Sequence, residues 1–166
     1  DWSSDVCSSD LASVARNLGI DHFKVTGGEP TVRRDLPRIV ERLAELSPAD
    51  LSMTTNGIHL PRLARPLRRA GLDRVTVSLD SLRGDRYEKI TGGGRLDLVW
   101  RGLDSADAVF EGIKLNVVVV RGVNEDEVVD FARLAMRRDW TVRFIEFMPL
   151  GSSVLADQPV HEALVT

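Results

Sequence analysis

From Leu11 onward the chain alternates short apolar, β-branched runs with longer stretches whose apolar residues recur at helical spacing. Five runs predict strands: His22–Thr26, Leu51–Thr55, Arg74–Leu79, Ile113–Val120 and Thr141–Phe147. Val117 to Val120 is continuously apolar, the pattern of a strand covered on both faces. Between the strands, Leu36, Ile39, Val40, Leu43 and Leu46 fall on one helical face, with Asp35 as cap and Ser47-Pro48 as stop. Pro61 suits the first turn of another helix, Leu63 and Leu67 supply its buried stripe, and Gly71 lies just past its end. Asn124 with Glu127 three residues on predicts a relative of the capping box. The helix it opens is acidic at its start (Glu125, Asp126, Glu127) and basic at its end (Arg137, Arg138). Strand–helix repetition with crossovers of this length gives an α/β fold, a parallel sheet with helices outside it. Periodicity alone does not distinguish an open sheet from a barrel.

The composition fits a soluble globular chain: 43% hydrophobic and 28% charged over 166 residues, one ordinary domain or a piece of a larger one. Twenty-two basic against 25 acidic residues leave a net charge of −3, which opposes general nucleic-acid binding. No apolar run approaches the ~20 residues of a membrane span, so the expectation is a cytoplasmic chain without a membrane partner. Cys7 is the single cysteine; it excludes an internal disulfide and any cluster built from the chain's own thiolates. His22, His59 and His161 have no ligand spacing, so no metal site is expected from these residues. Asp1 to Asp10 repeats Ser-Ser-Asp without any structural period and reads as a non-native, adapter-like leader. The barrel-like pattern occupies 11–151, and 152–166 reads as a weakly ordered tail.

The strand ends carry the informative residues. Thr26-Gly27-Gly28-Glu29 follows the first run, Thr54-Thr55-Asn56-Gly57 closes the second, and Ser78-Leu79-Asp80 the third. Lys114 and Asn116 interrupt the fourth, and the fifth reads Arg143-Phe144-Ile145-Glu146-Phe147-Met148. Any one of these is ordinary turn chemistry. Five together describe one shared site, since parallel α/β folds bind ligands at the carboxyl ends of their strands. Two glycines allow a close backbone approach, and Glu29 offers an acceptor to a cationic group. Gly92-Gly93-Gly94 lacks the context of a phosphate loop and reads as a turn. Arg62, Arg65, Arg68 and Arg69 have the spacing of a solvated helix surface.

Val25-Thr26-Gly27-Gly28-Glu29-Pro30, followed by Arg33-Arg34-Asp35-Leu36, resembles the second-strand motif of radical S-adenosylmethionine (SAM) enzymes. With Thr54-Thr55-Asn56-Gly57, Val77-Ser78-Leu79-Asp80-Ser81-Leu82, Lys114-Leu115-Asn116-Val117 and the Arg143–Met148 run in order, the set resembles one family over Leu11 to Gly151. That family is the GTP 3′,8-cyclases of molybdenum cofactor biosynthesis.

The resemblance implies a partial parallel (β/α) barrel of the radical SAM type, with about five of six strands present and the first missing. It implies a lyase in which a SAM-derived 5′-deoxyadenosyl radical converts GTP to (8S)-3′,8-cyclo-7,8-dihydroguanosine 5′-triphosphate. By matched position Gly28, Glu29, Ser78 and Met148 would bind SAM, and Lys24, Thr54 and Lys114 would bind GTP. Asn116 and Arg143 are further candidates, and no catalytic residue is assigned. Lys24 stands where the family carries an arginine; it keeps the charge but not the bidentate fork. The family's two 4Fe–4S clusters have no ligands in this chain, so the isolated chain is expected to be inactive. The electron donor stays open, and the full-length family allows a homodimer. Alternatives are another radical SAM enzyme, a redox-free (β/α) barrel lyase or phosphate binder, and an inert nucleotide-binding barrel fragment. A barrel lacking one strand would expose an edge at His22–Thr26 and would be marginally stable or associate.

Overall fold

The computed structural model describes residues 4–148, with side chains from Asp10 onward. Helices α1 (Ser4–Asn17), α2 (Leu36–Glu45), α3 (Leu60–Arg69), α4 (Gly84–Thr91), α5 (Leu96–Asp107) and α6 (Val128–Arg138) alternate with strands. The strands are β1 (His22–Val25), β2 (Asp50–Thr55), β3 (Arg74–Ser78), β4 (Lys114–Val119) and β5 (Thr141–Glu146). All five predicted strands are present, each within a residue or two of its expected bounds. Strand order follows the chain. The expected tail 152–166 lies outside the described residues, as do the first three residues of the expected leader. α1 runs unbroken across residue 10, where the sequence pattern placed a boundary.

Contacts divide the chain into two compact units, one of residues 1–78 with 98–113, the other of residues 79–97 with 114–166. In the first, β1, β2 and β3 form a parallel ladder in which Lys24 pairs with Ser52 and Thr54 with Thr76. Among the described residues β1 pairs with β2 alone. Side chains two apart share a face. Leu51, Met53, Val75 and Val77, all fully buried, form the apolar face, while Lys24, Ser52, Thr54, Thr76 and Ser78 alternate with them on the other. α2 contributes Leu36 and Val40 to the core, α3 Leu60, Ala64 and Leu67, and α5 Val99, Leu103 and Ala106. Leu63 is only half-buried: the stripe of α3 is set by Leu60, Ala64 and Leu67, one turn apart. Gly71 takes φ 100° just past the helix, as its position predicts. Asp35 does not cap α2 through its side chain; its carboxylate instead pairs with Arg33 at 3.0 and 2.7 Å.

In the second unit β4 and β5 are parallel, with Lys114 opposite Thr141, Asn116 opposite Arg143 and Val118 opposite Ile145. α6 packs on β5 through Phe131, whose ring meets Phe144 edge to face at 6.4 Å. α4 stops at Gly92 in the left-handed region (φ 69°), so the glycine triplet ends a helix. Asn124 precedes a short 3₁₀ turn (Glu125–Glu127), and its side chain makes no capping bond. The expected capping box is absent because both of its residues are drawn elsewhere, as described below.

A close approach fixes the seat of α5. A Cβ placed on Gly102 would lie 2.0 Å from the Gly57 carbonyl oxygen, whereas one on Gly84 would meet open space. Gly102→Ala therefore should destabilise the chain by about 1–3 kcal/mol, the range for overpacking. Gly84→Ala should be neutral or slightly stabilising in urea titrations. Equal midpoints for the two variants would contradict this packing.

Candidate functional site

The turn after β1 is organised by one carboxylate. Glu29 precedes a 3₁₀ turn (Pro30–Val32), where Pro30 fixes the exit of the chain. Its Oε1 accepts from the Thr31 N–H at 2.9 Å, from the Thr31 hydroxyl, and from the Thr55 hydroxyl at 2.7 Å. Its Oε2 accepts from the Asn56 N–H at 2.7 Å. Thr55 Oγ1 in turn accepts from the Gly57 N–H, and Asn56 Oδ1 from the Ile58 N–H. One side chain thus satisfies the turns that follow both β1 and β2. Partial burial alone would raise the Glu29 pKa, but hydrogen bonds from Asn56, Thr31 and Thr55 outweigh it and hold the carboxyl below its ordinary 4.5. The glycines beside it face open space, with φ 142° at Gly27 and nothing within 4 Å of a Cβ on Gly28. Both carboxylate oxygens already have protein donors, so Glu29 shapes this cradle in addition to any ligand contact.

On the polar face of the first unit Lys24 is exposed, Thr54 lies two residues beyond Ser52, the register partner of Lys24, and Ser78 ends β3. The structure brings these three to one face. The opposite, amino ends of β2 and β3 carry a different chemistry. Arg74 Nε donates to Asp50 at 2.6 Å and the Leu51 N–H donates to Asp73 at 2.9 Å, contacts that tie the two strand starts together.

The second unit holds a pocket of about 400 Å³ lined by Asp80, Val118, Asn124, Ile145, Glu146 and Met148, among others. Met148 lies beyond the end of β5, exposed, among the residues that line this pocket. Burial raises the Asp80 pKa, although its carboxylate accepts the Val118 N–H at 2.7 Å. Asn116 and Arg143 are register partners on the face that leads to this pocket. Asn116 Oδ1 is buried without a hydrogen-bond partner, an orphan acceptor that fits a ligand donor. Lys114 opens β4 at the amino end, opposite Thr141, and is not among the residues lining this pocket. It stands out in sequence only because it interrupts an apolar run. Asp80 and Asn124 line this pocket, and the Ser81 hydroxyl bonds to Glu127 beside it; the sequence pattern marked Asp80 only as part of a strand end and Asn124 with Glu127 only as a helix start.

No group of His, Cys, Asp and Glu among the described residues could hold a metal ion, and Cys7 is the chain's single cysteine. A 4Fe–4S cluster needs a set of thiolates. The residues of this chain do not fit one. No helix among the described residues is long and apolar enough to cross a membrane.

Parallel strands with helices between them, a glycine cradle after the first strand and polar strand ends define the class. The chain belongs to the Radical SAM superfamily, whose sequence model matches residues 9–135. It is 48% identical over 143 residues to the GTP 3′,8-cyclase of Heliobacterium modesticaldum, and 50% over 145 residues to that of Pelotomaculum thermopropionicum. These alignments cover 85% and 86% of this chain but 44% and 45% of the relatives, so the chain spans about half their length. Among solved structures, Streptococcus suis SuiB bound to S-adenosylmethionine superposes with a TM-score of 0.74 at 16% identity, over 86% of this chain and 33% of SuiB. Methylornithine synthase gives 0.71 at 17%, over 89% and 45%. These two likenesses show the fold, a partial (β/α) barrel.

The Glu29 carboxyl ionises more readily folded than unfolded. Its contribution is therefore complete above about pH 4.5 and is lost as the pH falls through the lower, folded value. Glu29→Gln presents an amide N–H₂ to one of the donors and should cost about 1–3 kcal/mol at neutral pH. Urea midpoints taken from pH 6 to 3 should fall more steeply for the wild type than for Glu29→Gln. Parallel slopes would contradict the assignment.

Proposed function

We propose that this chain is the portion of a GTP 3′,8-cyclase that binds SAM and presents part of the GTP site. The observation that carries this is identity of 48–50% to enzymes of that name over more than four-fifths of the chain. In this reading the open backbone at Gly28 receives the amino-acid end of SAM, with Glu29 holding the cradle and accepting from the methionine ammonium. Ser78 and Met148 complete the SAM site, Met148 packing as a polarizable thioether beside the pocket of the second unit. Lys24, Thr54 and Lys114 face GTP, the lysines as point charges toward phosphate, and Asn116 and Arg143 supply further polar contacts.

On one-electron reduction by a donor outside this chain, bound SAM would release methionine and supply a 5′-deoxyadenosyl radical able to take hydrogen from the ribose C3′ of GTP. The product named by the reading is (8S)-3′,8-cyclo-7,8-dihydroguanosine 5′-triphosphate, a molybdenum cofactor precursor. What these residues contribute is placement of the two ligands and exclusion of water from between them. A chain with one cysteine provides no ligand set for either 4Fe–4S cluster of the family. By itself it is inactive in this reading, and binding is the property to measure.

Calorimetric titration of the chain should give saturable binding of both SAM and GTP. Lys114→Ala should weaken GTP about tenfold, equivalent to ~1.4 kcal/mol, and leave SAM within twofold. Binding of SAM without GTP would remove the cyclase reading and leave another radical SAM enzyme. Absence of both would leave an inert barrel piece.

A further inference from the structure

Two polar side chains of the second unit are almost wholly removed from water, Glu127 at 1% exposure and Asn124 at 2%. Neither does what its position near a helix start would suggest. Glu127 Oε1 accepts from the Ser81 hydroxyl at 2.8 Å and from Arg86 at 2.5 Å, and its Oε2 accepts from the Leu82 N–H at 2.6 Å. Ser81, itself fully buried, also accepts the Arg83 N–H at 3.1 Å. The same Arg86 nitrogen, Nη1, also donates to Asp126 at 2.6 Å, and Nη2 donates to the second Asp126 oxygen at 3.3 Å. Asn124 uses all three of its bonds on backbone. Its Oδ1 accepts from the Val120 N–H at 2.7 Å, and its Nδ2 donates to the carbonyls of Asp80 and Val118 at 2.7 and 2.8 Å.

The targets of these bonds are the chain segments that wall the pocket. Asp80, Val118 and Val120 line it, and Asn124 lines it as well. Asp80 is thereby fixed from two directions, its carbonyl by Asn124 and its carboxylate by the Val118 N–H. A buried carboxylate costs much to desolvate unless it is paired and fully hydrogen-bonded. Apolar residues could join the loop 79–83 to the 3₁₀ turn with no such cost. What the polar set adds is direction: each bond fixes a particular backbone group of the pocket wall rather than a contact area.

We propose that Glu127, Ser81 and Asn124 are positioning residues that set the wall of the pocket beside Met148 for its ligand. This rests on the SAM reading above. None of the three needs to touch the ligand through the groups described, except Asn124 at the pocket edge. Their effect is on affinity, through the placement of Asp80, Val118 and Val120. Loss of the clamp lets the loop 79–83 sample other conformations, and the ligand must then reorder it on binding.

SAM affinity would be measured by calorimetry on the 166-residue chain, with SAM itself as the probe, at a temperature where circular dichroism shows each variant folded. Glu127→Gln is expected to weaken SAM at least tenfold. Ser81→Ala, a milder change that leaves two donors on Glu127, should weaken it about threefold to fivefold. Val40→Ala, in the apolar core and lining no part of the pocket, provides a comparably destabilised control and should bind SAM within twofold of the wild type. The proposal is overturned if Glu127→Gln, or Ser81→Ala where Glu127→Gln does not fold, binds SAM like the wild type. It is equally overturned if Val40→Ala loses as much affinity at the same drop in melting temperature, since the effect would then be stability alone. A wild type that binds no SAM overturns the functional reading and this proposal with it. A wild type that binds, with variants that bind equally, overturns this proposal only.

Discussion

Where a parallel strand gives way to its crossover, the N–H groups of the departing chain lose their ladder partners and must find others. In each unit of this molecule a single glutamate gathers them. Glu29 collects donors from its own turn and from the end of β2, and Glu127 collects them from the loop after β3. A carboxylate suits the task because it accepts at several positions and its charge strengthens every bond. The two solutions differ in environment. Glu29 is half-buried and depends on neutral donors alone, whereas Glu127 is sealed and balanced by Arg86. Everything proposed for the site stands on loops held in this way.

The two ends of the first unit's sheet show the same economy of groups put to opposite ends. At the amino ends Asp50, Asp73 and Arg74 answer one another and the Leu51 N–H. Beyond the carboxyl end of β1, Gly27 and Gly28 face open space, and the polar face carries the exposed Lys24. In the second unit Asn116 Oδ1 is buried and unanswered, a cost that a ligand donor would remove. Ligands of parallel α/β folds gather at the carboxyl ends of the strands, and the open glycine backbone lies at that end here.

Much of this was legible in the sequence, for reasons that differ by element. The five strands were readable because β-branched residues concentrate in them and buried positions such as Leu51, Met53, Val75 and Val77 recur at every second residue. α4 was not, since Tyr87 is its one buried anchor and eight residues give no period. α5 did carry a readable stripe in Val99, Leu103 and Ala106. The motif residues at strand ends were marked by their chemistry, but position along a strand was not. Lys114 breaks an apolar run in the sequence and proves to open β4. Least legible were Asn124 and Glu127. Local rules assign them to a helix start, and only the fold brings Ser81, Leu82 and Asp80 within their reach, 44 to 46 residues away along the chain.

If the strand ends of this chain form a SAM site, the amides there must respond when SAM binds. The most direct test is the amide NMR spectrum of the labelled chain titrated with SAM. The account predicts saturable shifts at Gly27, Gly28, Ser78 and Met148 and along 118–120, with the α3 amides unmoved. Shifts confined to the arginine-bearing surface of α3, or absent at the glycine cradle while SAM is bound elsewhere, would contradict it.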